Sequence, residues 1–269
     1  MYLTEPVPDV LLFRGEAFES LATAFVHGRE VLLVDALGSA EDAEVMRREL
    51  ERRDLRVRLI LMTHYMSDHM SALRLFPRAR IAAHRLYVQT FHAQRGLSPQ
   101  DEAEFVLPSI ELEGELAFDW GRYRLRVFPN QGKTACTLNV DVPAADLVLC
   151  SDNLVGNTAY LSSSTPERLD AGLVRLQQLG RRRIVPGHMG LLPGEALGNA
   201  RHYLARLGEE VEAARRRDPA RDIPLISIER CLAAGVTPTP FECEWHSRNL
   251  DRILERDLFP LEPNRGALR

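Results

Sequence analysis

The sequence predicts an α/β protein in which two β-sheets form a sandwich with helices on the outside. Two observations lead to this prediction. Short apolar strands alternate with helical segments over the first third of the chain, which is typical of a covered sheet with partly parallel pairing. From Ile110 apolar and polar residues alternate, as in half-exposed antiparallel strands, and a helix and a further strand follow. Each half of the chain is therefore a set of strands followed by a helix.

The first half contains five apolar, β-rich segments that we expect to be strands. They cover residues 10–13, 22–26, 31–34, 57–62 and 81–84. Ser39, followed by acidic residues, is a typical helix N-cap and predicts a helix that reaches about Arg53. Shorter helices are expected at 71–75, before Pro77, and at 86–94.

The second half is expected to contain strands at 111–118, 123–128, 137–142, 147–150 and 183–186. A helix over 166–179 presents Leu169, Leu173 and Leu176 on one face. Further helices are expected at 195–217, 227–233 and 241–258. No repeat or low-complexity linker marks a boundary. We therefore expect one domain over residues 1–192 and a helical C-terminal extension over 193–269 that packs on the same domain.

Composition excludes several classes of partner. With 269 residues, 38 acidic against 34 basic side chains and a net charge of −4, the chain lacks the basic excess that nucleic-acid binding requires. No apolar stretch approaches the ~20 residues of a membrane span. Four cysteines without a CxxC pair, and no N-terminal signal peptide, predict a reduced, cytoplasmic protein. A small-molecule substrate is the expected partner, and a homo-oligomer stays open.

Metal-ligand side chains follow three of the predicted strands. His64, Asp68 and His69 come after the apolar run 59–62, Asp152 follows strand 147–150, and His188 follows strand 183–186. Because open α/β sheets place their sites at the carboxyl ends of strands, we expect these side chains to meet. Imidazole and carboxylate ligands suit zinc, and iron is the alternative.

This pattern resembles the metallo-β-lactamase superfamily. The resemblance covers roughly residues 10–192 and includes Asp35, where the family has an early strand-end aspartate. The family loop H-x-H-x-D-H is present as His64-x-Met66-x-Asp68-His69, and its G-H-T, G-D and P-G-H stretches correspond to Gly132-Lys133-Thr134, Ser151-Asp152 and Pro186-Gly187-His188. The resemblance implies an αββα sandwich with the site between the sheets.

The resemblance also implies which metal ligands are kept. The first metal of the family is held by two loop histidines and the G-H-T histidine, and here only His64 remains, because Met66 and Lys133 take the other two places. The second metal is held by Asp68, His69, Asp152 and His188, all of which are present. One zinc ion, or iron, is therefore expected, with His64 as a further ligand or a proton-transfer group.

Lys133 is the only lysine in a sequence whose other basic residues are arginines. We expect its ammonium to replace the positive charge of the missing first metal beside Asp152, because a compact ammonium has a more tunable pKa than a guanidinium. Met66 is a poor zinc ligand and is expected to fill the vacated volume. His246, in the last predicted helix, is a candidate to reach the site from the C-terminal extension.

The resulting functional prediction is a metal-dependent hydrolase with a mononuclear site, acting on a small ester, lactone, thioester or amide. Asp68 or Asp152 would orient the attacking water, Lys133 would stabilise developing negative charge, and His64 would assist proton transfer. Two alternatives stay open. Two histidines and a carboxylate also suit a mononuclear iron oxygenase, and the loss of two ligands is compatible with a non-catalytic binding protein that keeps the fold.

Overall fold

Two β-sheets pack face to face in the computed structural model, which describes residues 1–94 and 97–260. Within these ranges the first sheet has seven strands, in the order β1 to β7. Strands β1 to β4 form an antiparallel meander, and β4 to β7 run parallel. Their bounds are β1 Tyr2–Val7, β2 Val10–Arg14, β3 Leu21–His27, β4 Glu30–Val34, β5 Arg56–Leu61, β6 Arg80–His84 and β7 Ile110–Leu112.

The second sheet has six strands in the described part of the chain, in the order β13-β12-β11-β10-β9-β8. All neighbours are antiparallel except β11 and β12, which are parallel. The bounds are β8 Leu116–Trp120, β9 Tyr123–Pro129, β10 Leu138–Val142, β11 Leu147–Ser151, β12 Arg183–Pro186 and β13 Leu192–Pro193.

Helices cover the outer faces of both sheets. The first sheet is covered chiefly by α1, whose N-cap Ser39 accepts a hydrogen bond from the backbone N–H of Asp42, as its sequence predicts. The second sheet is covered by α4, α5 and α7. The helices are α1 Ala40–Arg52, α2 Tyr87–His92, α3 Pro99–Glu104, α4 Pro166–Gln178, α5 Glu195–Arg215, α6 Pro219–Asp222 and α7 Pro240–Arg256.

Apolar side chains form three buried layers, which confirms the predicted αββα sandwich. One layer lies between the sheets and includes Phe25, Val127 and Leu149. A second lies between the first sheet and its helices, with Met46 and Leu50 of α1. The third lies between the second sheet and the helices α4, α5 and α7, with Leu169, Leu173, Leu197, Tyr203, Leu250 and Ile253. The C-terminal helices are thus part of the outer layer of the second sheet.

The structure differs from the sequence prediction in several places. Residues 111–118, predicted as one strand, are divided between β7 and β8, which lie in different sheets. The break falls at Gly114, and alternation alone cannot show that the chain changes sheets there. The mostly exposed edge strand β1 and the two-residue β13 lack a periodic signal. The helices expected at 71–75 and 227–233 are 3-10 turns, at Leu73–Leu75 and Ile228–Arg230.

None of the helices in the described ranges is long and apolar enough to cross a membrane.

Candidate metal centre

The metal-ligand candidates meet at one edge of the sandwich, where parallel strand pairs of both sheets end. Asp35 follows β4, His64 and His69 follow β5, Asp152 follows β11, and His188 follows β12. Strands β4 and β5 are parallel neighbours in the first sheet, as are β11 and β12 in the second. Packing the two sheets face to face therefore brings both sets of loops together, as expected for the carboxyl ends of strands in α/β folds.

Four of these side chains form a compact cluster: Asp68, His69, Asp152 and His188. Each offers one ligand atom, and all four atoms lie within 4.8 Å of one another. The Nε2 atoms of His69 and His188 each lie 3.3 Å from Asp152 Oδ1, and His188 Nε2 lies 3.5 Å from Asp68 Oδ2. Asp68 is the most exposed of the four, with 14% of its side chain accessible.

The cluster fits a metal ion better than a network of hydrogen bonds. His69 Nε2 and Asp152 Oδ1 are buried and have no hydrogen-bond partner among the described residues. Leaving buried polar atoms unpaired costs about 1–3 kcal/mol each. A cation that accepts both lone pairs removes this cost. Two imidazoles and two carboxylates are a donor set that zinc and iron both use.

The charges in this cluster change the pKa values of its members. Burial lowers the pKa of His69, but Asp152, Asp68 and Asp35 outweigh this effect and raise it to about 10. Burial alone would raise the pKa of Asp152, yet Lys133 and three histidines hold it well below the usual range of a carboxyl group. Asp152 is therefore ionised at neutral pH, as a metal ligand requires.

His188 is oriented by a backbone carbonyl. Its Nδ1 donates a hydrogen bond to the Phe18 carbonyl oxygen at 2.7 Å, which leaves Nε2 free to face the cluster. Phe18 has a φ of 57°, and its loop is held by the Asp42 carboxylate, which accepts from the backbone N–H groups of Glu16 and Ala17 at 2.9 and 3.1 Å. The N-terminus of α1 thus fixes the loop whose carbonyl group orients His188.

Gly187 leaves the space in which the cluster forms. A Cβ atom at this position would lie 1.9 Å from Asp152 Oδ1 and 3.0 Å from His69 Cε1. Both contacts are shorter than ordinary van der Waals distances, so a side chain here would displace at least one ligand. The glycine of the Pro186-Gly187-His188 stretch is thus a steric requirement of the centre.

Lys133 and His64 lie on the other side of Asp152. The Lys133 Nζ atom is 3.2 Å from Asp152 Oδ2 and His64 Nε2 is 3.4 Å from the same oxygen, so the two carboxylate oxygens have different partners. The Lys133 side chain is 2% exposed, and its ammonium lies 4.3 Å from the centroid of the Tyr160 ring, within range of a cation–π interaction. A buried ammonium therefore balances the carboxylate on this side.

His64 is not one of the four clustered residues, and a hydroxyl network holds it. Its Nδ1 lies 3.1 Å from Thr63 Oγ1 and 3.2 Å from Ser151 Oγ. Thr63 donates in turn to Asp35 Oδ2 at 2.7 Å. Asp35 is fully buried, and this burial raises its pKa despite the neighbouring histidines. The ring of His64 is thus fixed with Nε2 toward Asp152 and Nδ1 toward the hydroxyls.

Two other candidates lie outside the cluster. His246 does not reach the centre, because its Nδ1 contacts the Tyr203 hydroxyl and its Nε2 the Ile226 carbonyl oxygen, both at 2.8 Å. Of the two interpretations of His246, as a group that reaches the site or as a structural histidine, the contacts favour the structural one. Met66 is partly buried and packs against the apolar layer of the first sheet.

Two aromatic residues that the sequence analysis did not single out as site residues, Phe241 and Trp245, lie beside His188. The Phe241 and Trp245 rings of α7 have centroids 5.4 and 6.0 Å from that of His188. Tyr160 packs on Trp245 with a centroid distance of 4.3 Å. The available signal was two aromatic residues four positions apart in an amphipathic helix, which place both rings on one helix face. That signal does not show which face meets the metal centre.

Comparison with known proteins agrees with this architecture. The family model described as "Metallo-beta-lactamase superfamily" matches residues 15–188. Among solved structures, a metallo-β-lactamase from Pontibacter korlensis is 15% identical and covers 73% of this chain and 95% of its own, with a TM-score of 0.62. DIM-1 metallo-β-lactamase is 13% identical and covers 73% and 93%, with a TM-score of 0.62.

A third solved structure extends over the C-terminal helices. The stereoselective inverting sec-alkylsulfatase Pisa1 from Pseudomonas sp. is 14% identical, with a TM-score of 0.68, and its alignment covers 99% of this chain and 52% of the sulfatase. At these identities the structural matches show the fold. None of the curated proteins compared matches the sequence.

Proposed function

This chain belongs to the metallo-β-lactamase superfamily, and from that premise we propose that it is a metal-dependent hydrolase with one metal ion, zinc, in each active site. The superfamily is one of metal-binding hydrolases, and the chain has a candidate metal-binding cluster. The number of ions, the metal, the substrate class and the roles of individual residues are the proposal.

The different partners of the two Asp152 carboxylate oxygens support this proposal most directly. Its Oδ1 faces His69 and His188, while its Oδ2 faces the Lys133 ammonium at 3.2 Å. In a two-metal site the second oxygen would face a second cation. Here Met66 and Lys133 take the places of two histidines that would bind this second cation. The buried Lys133 ammonium supplies a positive charge in its stead and needs no ligands.

The proposed ligands are Asp68, His69, Asp152 and His188. A zinc ion held by these residues would lower the pKa of water and polarise a substrate carbonyl. Asp68, the most exposed of the four, would accept a hydrogen bond from the attacking water and orient it. Lys133 holds Asp152 ionised. Two carboxylates, a divalent ion and the ammonium together leave one positive charge, which favours the negative charge that develops on the substrate oxygen.

The proposed reaction is hydrolysis of a small ester, lactone, thioester or amide. The water oxygen adds to the carbonyl carbon, the bond from that carbon to the leaving oxygen, sulfur or nitrogen breaks, and the water proton ends on the leaving group. His64 lies beside Asp152 Oδ2 and is the proposed group that passes this proton on. A secondary alkyl sulfate belongs in the substrate panel, because the sulfatase match includes the C-terminal helices.

Metal content tests the proposal. Elemental analysis of the purified, zinc-loaded protein should give about one zinc per chain, and Asp152→Ala should lose it. Asp170→Ala is the matched control, since this carboxylate pairs with Arg201 on the surface, outside the cluster. Two zinc ions per chain would contradict the mononuclear site. Iron with oxygen consumption would favour an oxygenase, and no metal under any loading condition would favour a non-catalytic protein.

A further inference from the structure

We propose that Phe241, Trp245 and Tyr160 form a substrate subsite that takes an aryl or alkyl group attached to the scissile bond. The subsite would make the enzyme selective for substrates that carry a bulky apolar group and a hydrogen-bond acceptor oxygen next to it. This inference rests on the proposed function, because it names the substrate class of the same metal centre.

The three rings form a continuous aromatic surface that begins at a proposed metal ligand. The His188 ring lies 5.4 Å from that of Phe241 and 6.0 Å from that of Trp245, measured between centroids. The ring centroids of Phe241 and Trp245 are 5.6 Å apart, and the ring planes are inclined at 60° in an edge arrangement. A substrate bond held at the cluster therefore has an apolar aromatic surface directly beside it, which is a usual composition for a small-molecule site.

These side chains lie outside the apolar layer that packs α7 on the second sheet. They form a small cluster with Val155, separate from the three apolar layers of the sandwich. The helix is already fixed by Leu250 and Ile253 in the outer layer of the second sheet. Asn249 adds hydrogen bonds to the Leu161 N–H and the Ala159 carbonyl, both at 2.8 Å. An aromatic cluster beside the metal centre is thus additional to the packing that the fold requires.

Trp245 carries a polar group that the protein itself does not satisfy. The residue is 8% exposed, and its indole Nε1–H is buried without a hydrogen-bond partner among the described residues. Buried indole N–H groups normally have an acceptor. A substrate oxygen next to the apolar group would supply one, so the group expected here is apolar with an adjacent acceptor oxygen, as in an aryl or alkyl ester.

The cations around the rings are already paired, which argues against an anionic group in this subsite. Lys133 pairs with Asp152, and Arg248, whose guanidinium lies 4.3 Å from the centroid of a Trp245 ring, pairs with Glu244. Arg252 pairs with Glu255. Among the described residues that border the rings, no cation is therefore left to attract a negative substituent.

The backbone after His188 brings another apolar side chain to the cluster. Met189 has a φ of 74°, a left-handed conformation that costs free energy for a residue other than glycine. Hydrogen bonds hold it there: its N–H donates to the Glu19 carbonyl at 2.9 Å, and its carbonyl accepts from Arg14 at 3.0 Å. The partly buried Met189 side chain then packs against the aromatic cluster. Flexible thioethers suit surfaces that adapt to apolar ligands.

Ligand binding followed by tryptophan fluorescence tests the subsite without relying on turnover. The chain has two tryptophans, so Trp120→Phe leaves Trp245 as the only indole. Zinc-loaded protein in this background is titrated with phenylacetate and with acetate. We expect phenylacetate to bind at least about 10-fold more tightly and to change the fluorescence of Trp245. Equal dissociation constants would contradict the proposal.

Two substitutions in the same background assign the effect to these side chains. Phe241→Ala should bring the dissociation constant of phenylacetate close to that of acetate, while zinc content and circular dichroism stay unchanged. Leu254→Ala, on an exposed position of the same helix, is the control and should keep the preference. A Phe241→Ala protein that still discriminates 10-fold would overturn the proposal.

The two proposals fail in different ways. Zinc-loaded protein that binds both acids equally contradicts the subsite and leaves the hydrolase proposal standing. Protein that takes up no metal contradicts the hydrolase proposal. The subsite is then tested in metal-free protein with benzyl alcohol against methanol, and only a preference for benzyl alcohol supports it.

Discussion

Asp152 is the residue on which the candidate centre depends, because its two oxygens face different kinds of partner. Oδ1 faces two histidine Nε2 atoms at 3.3 Å each, and Oδ2 faces a buried lysine. A carboxylate buried to this degree is stable only when both oxygens are compensated. In the proposed enzyme a metal ion balances the charge at Oδ1 and Lys133 balances the charge at Oδ2. Substitutions can therefore change one of these interactions and leave the other in place.

We predict that Lys133→Arg lowers turnover about 10-fold or more while zinc content stays near one per chain. The planar guanidinium is larger than an ammonium, and the Lys133 side chain is only 2% exposed. Steady-state kinetics and elemental analysis on the same preparation measure both quantities. Arg206→Lys, the reverse exchange on the partly exposed side of α5, is the control. Unchanged turnover in Lys133→Arg would exclude a catalytic role for the compact ammonium.

We predict that Gly187→Ala abolishes zinc binding without unfolding the protein. The added methyl group would lie 1.9 Å from Asp152 Oδ1, so the carboxylate must leave its position. Isothermal titration with zinc measures the loss. Gly198→Ala is the matched control, because its Cβ would meet only Gln177 Nε2, at 3.7 Å, and alanine is favoured over glycine within a helix. Wild-type zinc affinity in Gly187→Ala would show that Asp152 is not a ligand.

At the scale of secondary-structure elements, the N-terminus of α1 has two roles. Ser39 caps the helix, and Asp42 in its first turn also accepts hydrogen bonds from the backbone of the loop that follows β2. That loop carries the Phe18 carbonyl to which His188 is bonded. The N-terminus of α1, which packs on the first sheet, thereby positions His188, which follows strand β12 of the second sheet.

We predict that Asp42→Ala weakens zinc binding about 10-fold, because groups that orient a ligand histidine typically contribute 10- to 100-fold to metal affinity. Thr165→Ala is the control, because it removes the N-cap of α4. It should cost ~1 kcal/mol of helix stability and leave zinc affinity unchanged. Competition with a chelator of known affinity gives both values. Equal affinities in the two variants would mean that the loop does not orient His188.

At the scale of the whole molecule, the raised pKa of His69 predicts that the stability of the metal-free protein depends on pH. His69 has a pKa of about 10 in the folded protein against 6.5 unfolded. A raised histidine pKa stabilises the fold fully below the unfolded value, and this contribution is lost as pH rises through the folded value. The affected window therefore extends from about pH 6.5 to about pH 10.

We predict that the free energy of unfolding of metal-free protein falls by about 1 kcal/mol per pH unit across this window. Urea denaturation at pH 6, 8 and 10 measures it. His69→Gln should flatten the profile, since glutamine does not titrate. Zinc-saturated protein should not show the loss, because the ion requires the neutral imidazole. A flat profile in metal-free wild type would mean that His69 is not charged at the centre.

The C-terminal helices complete the molecule, and we propose that residues 193–260 are an extension of the same domain; the expected boundary at residue 269 lies outside the described residues. Their apolar side chains share one buried layer with Phe128 and Cys150 of the second sheet. A chain ending at residue 192 should therefore aggregate or lack a cooperative urea transition, whereas the full chain unfolds in one step. A truncated protein with a sharp transition would place the boundary between two independent domains.

The sequence by itself determined the fold class and the four clustered side chains. Period-two and helical patterns are local, and the four side chains lie in loops that follow apolar strands and match the family motif, so Asp68, His69, Asp152 and His188 could be named as candidates without coordinates. The passage of the chain from one sheet to the other at Gly114 could not be predicted, because apolar and polar residues alternate in the same way in strands of either sheet.

Only the tertiary structure decided which groups meet across long chain separations. Lys133 and His64 both contact Oδ2 of Asp152. His246 is buried against Tyr203, and Phe241 and Trp245 lie beside His188. The physical reason is that local periodicity shows which face of a helix is apolar. Which neighbour that face covers depends on how the layers pack, and this packing involves residues far apart in the chain.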